Sequence, residues 1–187
     1  MSENKEDKVY TGSVERLRRP ERIEILEVDK VVSLALQGLL AKSVLDVGTG
    51  SGIFAEAFAA RKLAVSGVDI KEEMLEAARA FVPKGAFKLA PSDKLPFADR
   101  SFDLVFMGLV LHETDDPLAA LREAWRVCAL RTAILEWPDA EQKGPFGPPR
   151  ADRIAAADLY KHAETAGFAR WTAIHLDRLV LYILEKS

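Results

Sequence analysis

At 187 residues the chain is the size of one domain, against about 150 residues per domain as a working prior. Hydrophobic residues make up 49% and charged residues 29%, which excludes a disordered or collagen-like polymer. Lysine plus arginine number 26 against 29 acidic residues, a net charge of −3, so the chain lacks the basic footprint of a nucleic-acid binder.

The longest nearly apolar run, Val31 to Ala41, carries Ser33 and Gln37 and is too short to span a bilayer. Met1 to Lys8 has no apolar signal core. The single cysteine, Cys128, excludes an internal disulfide or a multi-cysteine zinc site. The expectation is a soluble, cytoplasmic, single-domain protein, a monomer or weak homo-oligomer, with neither membrane nor nucleic acid as a partner.

Residues 1–19 read as a polar N-terminal tail and 20–187 as one domain, of which 20–42 form a helical lead-in. Pro20 opens a short helix to Leu26, and a second runs from Val28 to Leu39, where Val28, Val31, Val32, Ala35 and Leu39 recur at helical spacing. From Ser43 the pattern changes to short apolar strands alternating with helices. Val44 to Val47 is the first strand, followed by the glycine loop 48–52 and a helix carrying Phe54, Ala57 and Phe58. Leu63 to Val68 is the second strand, closed by Asp69. Lys71 to Val82 is a helix with Glu72 and Glu73 in its first turn, where the dipole favours anions.

Strands follow at 86–90 and Phe102 to Met107. Asp116-Pro117 is a helix start, with Asp as N-cap and Pro at the first helical position; that helix carries Leu118, Leu121, Trp125 and Cys128 inward. Ala133 to Trp137 is the fifth strand. A Gly/Pro-rich loop covers 138–150, a helix covers 156–166 with Gly167 as its stop, and strands at 168–175 and 179–185 close the pattern. The implied fold is α/β, Rossmann-like and doubly wound. It has a mostly parallel seven-stranded sheet, helices on both faces, and last two strands antiparallel to each other. In such sheets ligands sit beyond the carboxyl ends of the strands at the switch point.

Gly48-Thr49-Gly50-Ser51-Gly52 lies between a strand and a helix, where glycine lets backbone approach a ligand and the helix N-terminus points N–H groups at an anion. A loop of this composition is also what a simple tight turn looks like. A dinucleotide site asks for G-x-G-x-x-G, and here the third glycine falls one residue early, with Ile53 in its place. Asp46, two residues before the first glycine, suits a ligand with an amino group better than a pyrophosphate. Asp69, at the end of the second strand, is placed to accept from both hydroxyls of a ribose.

Four stretches carry a family resemblance. Val44-Leu45-Asp46-Val47-Gly48-Thr49-Gly50-Ser51-Gly52 resembles motif I of class I S-adenosylmethionine-dependent methyltransferases. Val68-Asp69-Ile70 with Glu73-Met74-Leu75 resembles the second motif of their type 11, small-molecule branch. Leu95-Pro96-Phe97-Ala98-Asp99-Arg100-Ser101-Phe102-Asp103 is similar to that branch's L-P-F-x-D-x-S-F-D stretch, and Leu111-His112-Glu113 to its fourth motif. The resemblance covers residues 20–185. It implies S-adenosylmethionine as cofactor, backbone contacts to its methionine part at Gly48, Gly50 and Gly52, and Asp46 serving the amino group directly or through water. Asp69 would hold the ribose, Ile70 and Met74 would lie against ribose and adenine, and the Gly108 carbonyl would face the ammonium or sulfonium side. Thr49 and Met107 belong to the same implied set.

Two departures stand out. Pro91 occupies the position where many relatives carry an Asp that accepts from the adenine amino group, leaving Ser92 or Asp93 as substitutes. After Val127, Cys128-Ala129-Leu130-Arg131 is about two residues shorter than the relatives' K-P-G-G turn.

On the acceptor side, His112 and Glu113 follow the fourth strand at the sheet edge where a general base would act; His112 could equally pack beneath the following helix, and Glu113 be solvated. Trp137, Phe146, Arg150 and Arg153, on or beside the loop after the fifth strand, are the substrate-pocket candidates. The three scattered histidines suggest no metal site. The expected function is methyl transfer by in-line displacement to a small-molecule acceptor. The alternatives are an NAD-binding Rossmann oxidoreductase and a catalytically silent S-adenosylmethionine-binding protein.

Overall fold

In a computed structural model, residues 12–140 and 146–186 are described. Seven strands form one sheet in the order β3-β2-β1-β4-β5-β7-β6: β1 Ser43–Val47, β2 Ala64–Asp69, β3 Ala86–Leu89, β4 Phe102–Gly108, β5 Cys128–Glu136, β6 Arg170–His175 and β7 Val180–Glu185. The first five run parallel. β7 inserts antiparallel between β5 and β6, because a short turn can join only antiparallel neighbours.

The central strands are apolar on both faces, as a sheet covered twice requires. Val44, Leu104, Phe106, Ala133 and Leu135 pack on one side with α3 (Val28–Leu36), α4 (Ile53–Ala60) and α5 (Glu72–Phe81). Leu45, Val47, Val105, Met107 and Ile134 pack on the other with α6 (Pro117–Val127) and α7 (Ala156–Ala166). Strand alternation thus assigns each residue to a face. Helix punctuation follows local chemistry: Asp116 caps α6 by accepting from the Ala119 N–H at 2.9 Å, and Gly167 ends α7 at φ 108°, where a side chain would be strained.

The structure departs from the sequence expectations in four places. Residues 14–17 are not a polar tail: Val14–Leu17 form a helical turn, α1, with Leu17 buried, ahead of α2 (Pro20–Leu26); residues 1–11 lie outside the described part. α3 ends at Leu36 rather than Leu39, since Gln37 turns extended and Gly38 takes φ 71°. β5 starts at Cys128 rather than Ala133, directly after α6, and the missing turn is absorbed by a register shift between Phe102 and Leu104. The buried face of α6 is Ala120, Leu121, Ala124 and Val127. Its small residues let the helix approach the sheet closely. Trp125 stays at the surface, donating to the Gly167 carbonyl at 2.9 Å beneath the Lys186 ammonium.

Candidate active site

Beyond the carboxyl ends of β1, β2 and β4 lies a cavity of about 240 Å³, at the point where strand order reverses between β1 and β4. The glycine loop forms its floor. Gly48 and Gly50 take φ 66° and 51°, left-handed values that favour glycine. A Cβ on Gly48 would fall 2.4 Å from Val110 Cγ2, so the loop after β4 is seated directly on the loop after β1.

Asp69 ties this floor to β2. Its Oδ2 accepts from the Gly50 N–H at 2.9 Å and its Oδ1 from the Lys71 N–H at 3.0 Å. Burial raises its pKa above the ordinary carboxylate value, against the opposing pull of those N–H donors. Each ionised carboxylate oxygen can accept two hydrogen bonds, so both retain acceptor capacity toward the cavity that Asp69 lines. Asp46 sits differently. It is buried beneath the loop, accepts from the Thr49 hydroxyl at 2.7 Å, and is pushed up to about 7, chiefly by burial and further by the nearby Asp69 charge.

Ile70, Met74, Ala90 and Pro91 give one end of the cavity apolar walls, with Ser92 and Asp93 beside them. The following Leu95–Asp103 stretch does not reach the cavity. Its role is to clamp the chain. Arg126 donates to the carbonyls of Phe97 and Leu95 and to Asp99, Glu123 accepts from the Leu95 N–H, and Asp103 accepts from Ser43 and Lys42 at the start of β1.

The other end is walled by Gly108 at the end of β4, by Leu109, Val110 and Glu113 after it, and by Leu17 and Arg22 of the N-terminal helices. Arg18 holds that N-terminal segment in place. Its guanidinium donates to the Ser51 carbonyl at 2.8 and 3.3 Å and to Glu56 at 3.0 Å, and stacks over Phe81.

The structure therefore brings together Gly48, Gly50, Asp69, Ile70, Met74, Ser92, Asp93, Gly108 and Glu113 around one cavity. It leaves other expected site residues off the wall. Thr49 serves Asp46. Gly52 caps α4 and abuts α5, where a Cβ would come within 2.9 Å of Ala78 Cα. Met107 is fully buried in β4. The four substrate-pocket candidates build their own loop instead. Trp137 is buried against Gly147 and Phe146 packs on the core. Arg153 donates to the carbonyls of Pro138, Ala140 and Pro148, and Arg150 pairs with Asp139. Pro145 lies outside the described residues.

His112 is held behind the wall in a 3-10 turn, Leu111–Glu113. Its Nδ1 lies 2.7 Å from Glu136 Oε2, and its Nε2 lies 3.8 Å from Glu113 Oε1. Glu136, buried at the end of β5, escaped the sequence reading, as did Leu17, Arg18 and Arg22. A carboxylate closing the apolar run Ile134-Leu135 is the signal that could have exposed Glu136. No cluster suited to a metal ion exists among the described residues, and among them no helix is long and apolar enough to cross a membrane.

A doubly wound sheet with a glycine loop after β1 and an acid ending β2 defines a Rossmann-like nucleotide-cofactor site. The family model described as a methyltransferase domain matches residues 45–131. The chain is 40% identical over 110 residues to a demethylmenaquinone methyltransferase of Roseiflexus, a match covering 54% of this chain and 44% of that protein. It is 31% identical over 142 residues to a ubiquinone/menaquinone biosynthesis C-methyltransferase of Desulfotalea psychrophila, covering 68% and 58%. The chain thus spans about half the length of the curated relatives it matches. Among solved structures, a SAM-dependent methyltransferase from Aquifex aeolicus superposes with a TM-score of 0.80 at 26% identity, over 93% of this chain and 97% of that one. Over residues 45–131 the chain is similar to the methyltransferase-domain family, and it shares the fold of the Aquifex aeolicus enzyme.

Proposed function

We propose that the protein is an S-adenosylmethionine-dependent methyltransferase that acts on a small-molecule acceptor, working in the cytoplasm as a monomer or weak homo-oligomer. The observation that carries this reading is the cavity itself: a left-handed glycine floor pinned by Asp69, with an apolar slot at one end and Glu113 at the other. Relatives described as methyltransferases in quinone biosynthesis support the acceptor class.

The residues present fit the cofactor. Asp69 keeps acceptor capacity for the ribose hydroxyls, and Ile70, Met74 and Pro91 form a slot for a flat base. Pro91 cannot accept from an adenine amino group, so Ser92 and Asp93 are the groups that would. Gly48, Gly50 and Gly108 would meet the methionine part through backbone. Asp46, screened by Thr49, would act on the ammonium only through water. When bound, the cofactor supplies an electrophilic methyl group on sulfur. This chain's residues then supply alignment and exclusion of water: Leu17 walls the cavity beside Gly50, and Val110 locks the β4 loop onto Gly48.

The test is release of S-adenosylhomocysteine from S-adenosylmethionine across a panel of hydroquinones, phenols and amines. Turnover with at least one acceptor is expected. Cofactor binding with no product from any of them would favour the catalytically silent alternative.

A further inference from the structure

The buried Glu136 carboxylate accepts from the N–H groups of Leu111 at 2.9 Å, His112 at 3.2 Å and Trp137 at 3.3 Å. It also faces His112 Nδ1 at 2.7 Å. An ionised carboxylate only accepts, so Nδ1 must carry the proton in that bond. The other ring nitrogen, Nε2, faces a second carboxylate, Glu113, at 3.8 Å. That is an ion-pair rather than a hydrogen-bond distance, and a ring protonated at both nitrogens sits there between two anions.

Resting on the methyltransferase reading above, we propose that Glu136 is a positioning residue. It holds His112 as an imidazolium with its Nδ1–H on Glu136, and that fixed cation sets the Glu113 carboxylate on the cavity wall. The proton-accepting group presented to the acceptor side is then Glu113, not His112. Burial disfavours the charged ring, but Glu136 and Glu113 outweigh it and raise the His112 pKa above its ordinary 6.5, with Arg22 opposing. Among the described residues, the charged and titratable groups that act on the pair are Glu113 from the same turn, Glu136 from β5, Arg22 from α2, and Tyr182 of β7, which interacts with Glu136. A histidine ring protonated at both nitrogens has no lone pair with which to act as a base. Glu113 lines the cavity and His112 does not.

The experiment is nitrogen-15 NMR of the His112 ring across pH in the full chain saturated with S-adenosylhomocysteine, in wild type, Glu136→Gln and Glu113→Gln. Calorimetry on the same samples reads the ligand. Wild type is expected to show both ring nitrogens protonated at pH 7 and, on titration, to keep the proton on Nδ1. Glu136→Gln should lower the midpoint, and by more than Glu113→Gln, because its carboxylate is the nearer. A purely structural Glu136 would lower the melting temperature without moving that midpoint. A neutral His112 ring at pH 7, or a midpoint indifferent to Glu136→Gln, in protein that binds the ligand would overturn the positioning role. The wild-type titration decides this even if the variant fails to fold. Absence of ligand binding in wild type would instead contradict the proposed function on which the role rests.

Discussion

The carboxylate of Asp69 accepts from the Gly50 N–H at 2.9 Å, so the end of β2 and the middle of the glycine loop move as one piece. Removing this side chain costs a loop tie and, on the proposed function, the acceptor for the cofactor's ribose. Charged hydrogen bonds contribute about 1.5–3 kcal/mol each, and about 1.4 kcal/mol is tenfold in affinity. Asp69→Ala is therefore expected to weaken S-adenosylhomocysteine binding at least about tenfold, measured by calorimetry. Unchanged affinity would take Asp69 out of the site.

Gly52 and Gly48 separate packing from binding. A Cβ at position 52 would come within 2.9 Å of backbone in α5 at φ 78°, and left-handed backbone alone costs a non-glycine residue roughly 1–2 kcal/mol. Gly52→Ala is expected to lower the melting temperature by at least about 2–4 °C, while leaving ligand affinity close to wild type below the transition. Gly48→Ala would drive a methyl into Val110 and should lose both stability and affinity. Equal effects of the two substitutions on binding would contradict this division.

Asp46 makes stability depend on pH in an uncommon direction. Its folded-state pKa is about 7 against an ordinary 3.8, so between those values the folded state binds the extra proton and stability falls as pH rises. At 1.36 kcal/mol per unit the effect is at most roughly 4 kcal/mol. Asp46→Asn keeps an acceptor for the Thr49 hydroxyl and removes the titration. Urea unfolding at pH 5 and pH 8 should show the variant gaining on wild type at the higher pH. A constant difference between the two would show that Asp46 titrates normally.

Arg18 tests the closing segment. Its bonds to the Ser51 carbonyl and Glu56 anchor the turn whose Leu17 lines the cavity. Arg18→Ala is expected to speed S-adenosylhomocysteine dissociation by roughly tenfold, the equivalent of one charged hydrogen bond, in a stopped-flow displacement assay. An unchanged off-rate would show that the segment does not close the site.

Much of this molecule is legible in its sequence because the relevant signals are local. The run from Val44 to Gly52 places a strand, a turn needing left-handed backbone and a helix start in nine residues. Asp116-Pro117 and Gly167 mark helix ends by their own backbone chemistry. What escapes is decided by tertiary contact. Whether Gly52 meets ligand or helix depends on Ala78, distant in sequence. The Arg18 clamp exists only because the glycine loop and α4 bring Ser51 and Glu56 beneath it, so a polar N-terminal stretch conceals a structural element. Arg153 reads as a pocket residue until the carbonyls it gathers are seen. The carboxylate partner of His112, Glu136 at 2.7 Å, comes from a strand distant in sequence and leaves no local signal.

On the proposed function, this cavity receives S-adenosylmethionine rather than a nicotinamide dinucleotide. Calorimetric titration of one preparation with S-adenosylhomocysteine and with NADH tests it most directly. Binding of S-adenosylhomocysteine in the micromolar range or tighter, with no comparable heat from NADH, is the expected result. Saturable NADH binding with none for S-adenosylhomocysteine would contradict it.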